Sequence, residues 1–195
     1  MTKIIGLTGG IGSGKTTMIN YIKAKGFKVY IADDAGKKVM NDSVIIKKIN
    51  DLFNGDVLQN DGFLDRPKIA SLVFNNKILL QKLNQIVHPA VEADFQNFLQ
   101  NNKDQSIIFK ESALLFETEA YKKCFATILI TAPLNLRIER VLKRDNITKE
   151  QILNRMNNQM SDENKIKLAT YVVENVDVNI AYKRLDSIIS EIITN

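Results

Sequence analysis

Five short runs of apolar residues alternate with longer segments whose apolar positions recur at helical spacing. The short runs are rich in β-branched residues and lack polar alternation, which is typical of strands covered on both faces in a parallel sheet. We predict strands at residues 4–8, 28–32, 106–112, 127–131 and 171–173. Their alternation with helices predicts an α/β protein, with a five-stranded parallel sheet between helical layers.

Local signals predict where several helices begin and end. Gly26 suits the position after the first helix, and Pro133 suits the first turn of a helix running to residue 144. Thr148 and Gln151 fit a capping box at the start of the next helix. The last helix, over residues 178–193, carries an apolar stripe formed by Ile180, Ala181, Leu185, Ile188, Ile189 and Ile192. We expect that stripe to face the core.

Residues 34–102 interrupt this alternation with several helical patterns and a turn-rich piece, but no sheet strand. Asp65 is a predicted N-cap, with Pro67 near the start of the helix that follows. We interpret residues 34–102 as a helical insertion, within a core formed by residues 1–33 and 103–195. The patterning leaves open whether the insertion binds a second substrate or is structural padding.

A glycine-rich segment joins the first strand to the first helix. Residues 9–16 fit the phosphate-loop pattern G-x-x-x-x-G-K-[ST] in the required strand–loop–helix context. Backbone N–H groups of such a loop surround phosphate oxygens, the lysine reaches the outer phosphates, and the hydroxyl of Thr16 can bind Mg²⁺. We therefore predict a nucleoside triphosphate site formed by Gly10, Ile11, Gly12, Ser13, Gly14, Lys15, Thr16 and Thr17.

Composition narrows the classes of protein to consider. The net charge of +5 suits a phosphate-rich partner, but no basic run interleaved with aromatic residues predicts nucleic-acid binding. Cys124 is the only cysteine, which excludes an internal disulfide and favours a reducing, cytoplasmic location. No apolar stretch approaches the ~18 residues of a membrane span, and the first residues do not resemble a signal peptide. Nothing indicates an obligate protein partner.

Three acidic residues follow or end predicted strands, where ligands of open parallel sheets bind. Asp33 and Asp34 follow the second strand, and Glu111 lies at the end of the third. Either Asp can cap a helix instead; we favour capping for Asp34, and proton transfer or magnesium binding for Asp33. Glu111 stands where an acid near Mg²⁺ is expected, so Thr16 and Glu111 are the predicted metal ligands; an exposed strand end is the alternative for Glu111.

Arg137, Arg140 and Arg144 fall on one face of a predicted helix, because they are three and four residues apart. Residues 136–160 form a helix pair with a hinge between the helices, which we interpret as a short lid. Its guanidinium groups can close over the triphosphate. The alternative is an ordinary solvated helix face.

Several segments carry a resemblance that covers nearly the whole chain: residues 7–16, 32–33, 61–66, 73–74, 88–89, 114–117, 144–145 and 155–159. Together they resemble the dephospho-CoA kinase family, whose fold is similar to that of nucleoside monophosphate kinases. The resemblance implies a three-layer P-loop core, a helical domain for the coenzyme precursor and a lid. It also implies transfer of the γ-phosphoryl group of ATP to the ribose 3′-hydroxyl of dephospho-CoA, the last step of coenzyme A synthesis, with Mg²⁺.

The same resemblance assigns roles to individual residues. It implies that Asp33 is the general base, assisted by Lys15 and Arg140. The acceptor would be bordered by Thr8, Asp33, Arg66, His88, Leu114, Leu115 and Glu117. ATP would be contacted by the phosphate loop, by Arg140 and Arg144 of the lid, and by Asn175, where the adenine-binding loop begins.

Two departures and two alternatives stand beside this resemblance. The family usually has Asp-Ala-Asp where this chain has Ile31-Ala32-Asp33, and commonly Asp-x-Pro where this chain has residues 111–113, Glu-Ser-Ala. Another kinase of the same fold is one alternative. A GTP-driven switch is the other, because residues 33–36 fit the pattern D-x-x-G, although the guanine signature Asn-Lys-x-Asp does not occur.

Overall fold

The computed structural model describes residues 2–74 and 76–194. All five predicted strands are present: β1 (Lys3–Gly9), β2 (Lys28–Ile31), β3 (Ile107–Glu111), β4 (Ala126–Thr131) and β5 (Tyr171–Glu174). They form one sheet in the order β2-β3-β1-β4-β5. β1 runs parallel to β3 and β4, and β4 runs parallel to β5. The predicted α/β class and parallel sheet are confirmed.

The central strand β1 carries the chain into the glycine-rich loop. In the register of the sheet, Leu7 lies beside Glu111 of β3, and Gly9 lies beside Ile130 of β4. The middle of β1, β3 and β4 is fully buried, as their continuous apolar sequence predicts. The carboxyl end of β1 is therefore flanked on both sides by the ends of its neighbours.

The described part of the chain contains nine α-helices, of which four lie between β2 and β3 and three between β4 and β5. Their bounds are α1 Lys15–Ala24, α2 Ala32–Val39, α3 Ser43–Leu52, α4 Arg66–Phe74, α5 Lys77–Asn101, α6 Leu134–Arg144, α7 Lys149–Asn157, α8 Asp162–Leu168 and α9 Val178–Thr194. The chain divides into two compact units, one of Met1–Tyr30 with Asn102–Asn195, the other of Ile31–Asn101. None of the described helices is both long and apolar enough for a membrane crossing.

The predicted helix ends are largely confirmed. The Thr148 hydroxyl accepts a hydrogen bond from Gln151 N–H (3.2 Å), and the Gln151 side chain accepts one from Thr148 N–H (2.9 Å), so the capping box is present. Gly26 follows α1 in a left-handed conformation, with φ of 90°. Pro133 is the N-cap of α6 rather than part of its first turn, so that helix starts one residue later than its proline suggests.

The stripe predicted along α9 is correct except at one position. Ala181, Leu185, Ile188, Ile189 and Ile192 are buried, whereas Ile180 is 67% exposed. Ile180 shares its face with exposed residues 184, 187 and 191, which are four, seven and eleven positions further along the helix. It therefore lies on the polar side of the helix, one step beyond the edge of the apolar stripe.

The second unit is helical, with its own apolar core. Its buried residues are Ile49, Phe53, Val57, Leu64, Ile69, Val73 and Leu83. Asp65 caps α4 as predicted, because its carboxylate accepts a hydrogen bond from Lys68 N–H at 3.0 Å. The turn-rich piece contains an isolated antiparallel bridge between Leu58 and Leu64, which is too short to count as a strand of the sheet.

The α9 stripe can be tested with two truncations in one helix. We expect Leu185→Ala to lower the free energy of unfolding by about 2–5 kcal/mol, because it leaves a cavity in the core. Ile180→Ala, on the exposed face, should change it by less than about 0.5 kcal/mol. Urea unfolding followed by circular dichroism measures both. Equal losses would contradict the assignment of the two faces.

Candidate active site

The glycine-rich loop runs from the end of β1 at Gly9 to the start of α1 at Lys15. Gly12 and Gly14 have φ values of 79° and 91°, a left-handed conformation that side chains disfavour. Gly14 is the N-cap of α1 and supplies no side-chain cap, and the first turn of α1 contains no acidic residue. The first N–H groups of α1 and the positive end of its dipole are therefore available to an anion.

The loop also packs too closely on its neighbours for side chains. A Cβ atom on Gly10 would meet the Arg137 guanidinium, and one on Gly12 would meet the Arg137 carbonyl oxygen. A Cβ atom on Gly14 would meet the Asn175 side-chain amide. The glycines therefore have two roles. They let the loop pack closely against Arg137 and Asn175, which are distant in the sequence, and they leave its backbone accessible to phosphate.

Asn175 and Arg140 both bind the loop at Ser13. The Asn175 amide nitrogen donates to the Ser13 carbonyl at 2.9 Å, and Arg140 donates to the same carbonyl at 3.5 Å and to the Asn175 carbonyl at 2.8 Å. Asn175 is only 3% exposed, and its backbone N–H donates to Thr131 at the end of β4. Its side chain is therefore directed to the phosphate loop in this structure, and its predicted adenine contact stays a prediction.

The three arginines of α6 occupy three different environments. Arg137 is buried and donates to the Ile11 carbonyl at 2.9 Å and to the Asp162 carboxylate at 2.7 Å. Arg140 is half-buried beside the loop. Arg144 is mostly exposed and donates to both carboxylate oxygens of Asp145, at 2.8 and 2.9 Å. The solvated-face alternative therefore describes Arg144 alone, and the Arg144 guanidinium is occupied by its neighbour in this state.

Lys15 and Glu111 form an ion pair at the end of the central strands. Lys15 Nζ lies 3.5 Å from a Glu111 carboxylate oxygen, and Glu111 is almost completely buried. The alternative of an exposed strand end is therefore wrong for Glu111. Thr16, the other predicted metal ligand, is exposed in the first turn of α1. Among the described residues, no group of three or more His, Cys, Asp or Glu side chains is arranged to hold a metal.

The predicted acceptor residues of the first unit differ in exposure. Thr8 and Leu115 have no exposed surface, and the Thr8 hydroxyl has no hydrogen-bond partner among the described residues. Leu114 is 43% exposed. Leu115 is therefore a core residue in this state, and only Leu114 of the pair is accessible to a ligand. The expected contact of Leu115 with an acceptor does not match its burial.

In the second unit, Asp33 is exposed in the first turn of α2, two residues after β2 ends. His88 is exposed within α5, directly before Pro89. Arg66 donates to the Lys37 carbonyl at 2.7 Å and to the Asn41 side chain at 2.8 Å. These contacts orient Arg66 on the surface of this unit.

The capping role favoured for Asp34 is wrong. α2 starts at Ala32 with Ile31 as its N-cap, so Asp34 lies inside the first turn and pairs with Lys37 at 3.1 Å. The same early start places residues 33–36, which fit D-x-x-G, within one helix. Gly36 has no left-handed φ, so this segment lacks the loop geometry that the switch alternative requires.

Comparison with known proteins identifies the family. The dephospho-CoA kinase family profile matches residues 3–180. The chain belongs to the dephospho-CoA kinase family. A dephospho-CoA kinase from Fusobacterium nucleatum subsp. nucleatum is 38% identical over 172 residues, which is 88% of this chain and 89% of that protein.

Two solved structures extend the dephospho-CoA kinase match to the fold. The crystal structure of TT1252 from Thermus thermophilus is 33% identical, with a TM-score of 0.90 and coverage of 97% of both chains. Dephospho-CoA kinase from Campylobacter jejuni is 27% identical, with a TM-score of 0.71 and coverage of 98% of both chains. The fold is therefore the P-loop kinase fold that the sequence predicts.

The dephospho-CoA kinase site includes contacts that sequence reasoning did not find. The Gln159 side chain accepts a hydrogen bond from Ile11 N–H, and Met160 N–H donates to Glu117 at 2.9 Å. Lys165, fully buried, lies 3.1 Å from the same Glu117 oxygen. The two residues of each contact are more than 40 positions apart in the sequence, so no local sequence pattern predicts the contact. The only sequence signal was a polar residue, Gln159, at the end of a segment shared with the family.

The environment of Glu117 controls its ionisation. Burial alone would raise the pKa of the Glu117 carboxyl, but hydrogen bonds from its own backbone N–H, from Met160 N–H and from Lys165 together hold the pKa below its ordinary value. Glu117 was predicted to border the acceptor. One of its carboxylate oxygens contacts both Met160, after α7, and Lys165, in the middle of α8.

We expect Gly12→Ala to lower kcat/KM for ATP on the order of 100-fold, because its Cβ would displace the loop from the Arg137 carbonyl and misplace the reacting groups. Gly26→Ala is the matched control, since Gly26 has a φ of 90° but nothing within 4 Å of an added Cβ. It should lower stability by about 1–2 kcal/mol and leave kcat/KM unchanged. Steady-state kinetics with each variant separates backbone strain from contact.

We expect Glu117→Gln to lower the free energy of unfolding near neutral pH by about 1–3 kcal/mol, because buried Lys165 loses its counter-charge. The lowered pKa of Glu117 stabilises the fold above the ordinary glutamate pKa, and this contribution disappears as the pH falls through the folded-state value. The difference from wild type should therefore shrink in acid. Unfolding curves across pH measure it, with the exposed Glu119→Gln as control. A difference that stays constant with pH would argue against this role.

Proposed function

We propose that this chain transfers the γ-phosphoryl group of ATP to the ribose 3′-hydroxyl of dephospho-CoA, giving coenzyme A and ADP. The observation that carries the proposal is an anion-receptive phosphate loop, with Lys15 and Arg140 beside it, in a chain of the dephospho-CoA kinase family. We place the reaction in the cytoplasm, where the single cysteine stays reduced.

The proposed phosphate grip uses backbone and side-chain donors together. The N–H groups at the start of α1 face the phosphate oxygens, and Lys15 and Arg140 supply positive charge. In the structure, Lys15 pairs with Glu111 and Arg140 binds two carbonyl oxygens, so both cations are held beside the loop. When the Lys15 and Arg140 side chains bind a triphosphate instead, charge-assisted hydrogen bonds to phosphate replace these contacts and are stronger than them.

The residues at the loop fit a magnesium ion. The Thr16 hydroxyl and the Glu111 carboxylate are hard oxygen donors of the kind that Mg²⁺ prefers, and the near-complete burial of Glu111 keeps its carboxylate in place. We propose that these two side chains hold the ion. Bound there, it would neutralise charge on the phosphate oxygens.

Asp33 is the proposed general base. Its carboxylate is exposed and comes two residues after β2. β2 belongs to the same sheet as β1, the strand that leads into the phosphate loop. It would accept the proton of the acceptor hydroxyl as that oxygen attacks the γ-phosphorus, and the bond to the β,γ-bridging oxygen breaks. Arg66, His88 and Leu114 are proposed acceptor contacts. The helices α6 and α7 would exclude water, which otherwise competes as acceptor.

The decisive experiment is a coupled ATPase assay of the purified protein with Mg²⁺ and dephospho-CoA, with the product identified by mass spectrometry. We expect a product heavier than the acceptor by one phosphoryl group, and little turnover with nucleoside monophosphates. Asp33→Asn should lower kcat about 10²–10⁴-fold while both substrates still bind. The adjacent Asp34→Asn is the control, since Asp34 pairs with Lys37 at the surface.

Two results would count against the proposal. Efficient phosphorylation of a nucleoside monophosphate, with dephospho-CoA unchanged, would indicate another kinase of this fold. Near-normal turnover by Asp33→Asn would show that the base assignment is wrong, even if dephospho-CoA is the acceptor.

A further inference from the structure

The peptide groups of Ile11, in the phosphate loop, are bound on both sides by side chains from one later part of the chain. Arg137 Nε donates to the Ile11 carbonyl at 2.9 Å, and Ile11 N–H donates to the Gln159 side-chain oxygen at 3.1 Å. The residues on either side of Ile11 are glycines, which impose little conformation of their own. The two side chains therefore hold the Ile11 backbone from both sides, while the Ile11 side chain packs against the apolar cluster of Ile138, Val141 and Ile152.

Arg137 is fixed in place by its surroundings. It is buried, and its guanidinium bonds the Asp162 carboxylate at 2.7 Å in addition to Ile11. The guanidinium occupies the space that a side chain on Gly10 would need. Arg137 is thus held by an ion pair and by contact with the loop, and it has little freedom to adopt another position.

Gln159 is held through the residue that follows it. Met160 N–H donates to Glu117, which pairs with fully buried Lys165. A cavity of about 480 Å³ adjoins this region, and its lining includes Arg137, Met156 and Gln159. Because Gln159 borders open space, packing alone does not fix its side chain, and its hydrogen bond to Ile11 N–H matters correspondingly more.

We propose that Gln159 and Arg137 are positioning residues, which hold the Ile11 peptide in the orientation that lets the phosphate loop receive a triphosphate. They act on the nucleotide through the loop and do not touch the acceptor. Because Gln159 lies two residues after α7, the same contact ties the end of the proposed lid to the loop. The inference rests on the proposed function only in taking ATP as the phosphoryl donor.

The test substitutes Gln159 with methionine, which has a similar length and shape but cannot accept the Ile11 hydrogen bond well. We expect the Kd for ATP to rise on the order of tenfold, because a backbone N–H loses its partner. The Kd for inorganic tripolyphosphate should rise by the same factor, since the loop binds phosphate and not the base. The KM for dephospho-CoA and the melting temperature should stay near wild type. Titration calorimetry and steady-state kinetics supply these values.

Two further variants make the result decisive. Gln96→Met makes the same change on the exposed surface of α5 and should leave every value unchanged. Arg137→Lys keeps a positive charge near Asp162 but lacks the Nε donor to Ile11, and it should weaken ATP and tripolyphosphate binding in parallel. If Gln159→Met does not fold, the phosphate affinities of Arg137→Lys test the inference instead.

The inference is overturned if Gln159→Met binds both phosphate ligands within twofold of wild type. It is equally overturned if only ATP binding weakens, because Gln159 would then act near the base. Failure of the wild-type protein to phosphorylate dephospho-CoA, with ATP binding intact, would refute the proposed function and leave this inference standing.

Discussion

A loop composed largely of glycine has weak conformational preferences, so its shape must come from bonds to the rest of the protein. Here the Ser13 carbonyl and both backbone groups of Ile11 bind side chains from residues 137–175. Those partners all follow β4 in the chain, while the loop lies near the amino terminus. The phosphate loop is therefore held in its shape by contacts with residues that follow β4, far from it in the sequence.

The order of the strands determines which charges meet at this loop. Since β1 lies between β3 and β4, the register that pairs Leu7 with Glu111 brings a carboxylate beside Lys15. A nearly buried carboxylate is stable only with a partner, and the lysine supplies it. The ion pair places the Lys15 ammonium and the Glu111 carboxylate side by side near the end of the sheet, so each is ready for an exchange of partners.

Elements whose causes are local were predictable from the sequence. The strands follow from apolar runs, the phosphate loop from a fixed spacing, and the Thr148 cap from its neighbour three residues later. The predictions were wrong where the burial or helix position of a single residue depends on tertiary packing. Ile180 lies just outside the buried stripe, and Asp34 lies inside a helix that begins two residues before it. The contacts of Asn175 were beyond prediction, since they join residues 162 positions apart.

The position of Cys124 has a consequence for a protein whose proposed substrate and product both carry a free thiol. The Cys124 sulfur lies close behind β1, 3.0 Å from where a Cβ on Gly6 would be, and burial raises the pKa of its thiol. Mixed disulfides form by attack of a thiolate, so a raised thiol pKa and partial burial both slow the reaction. We therefore expect Cys124 to exchange slowly with oxidised, disulfide forms of the coenzyme.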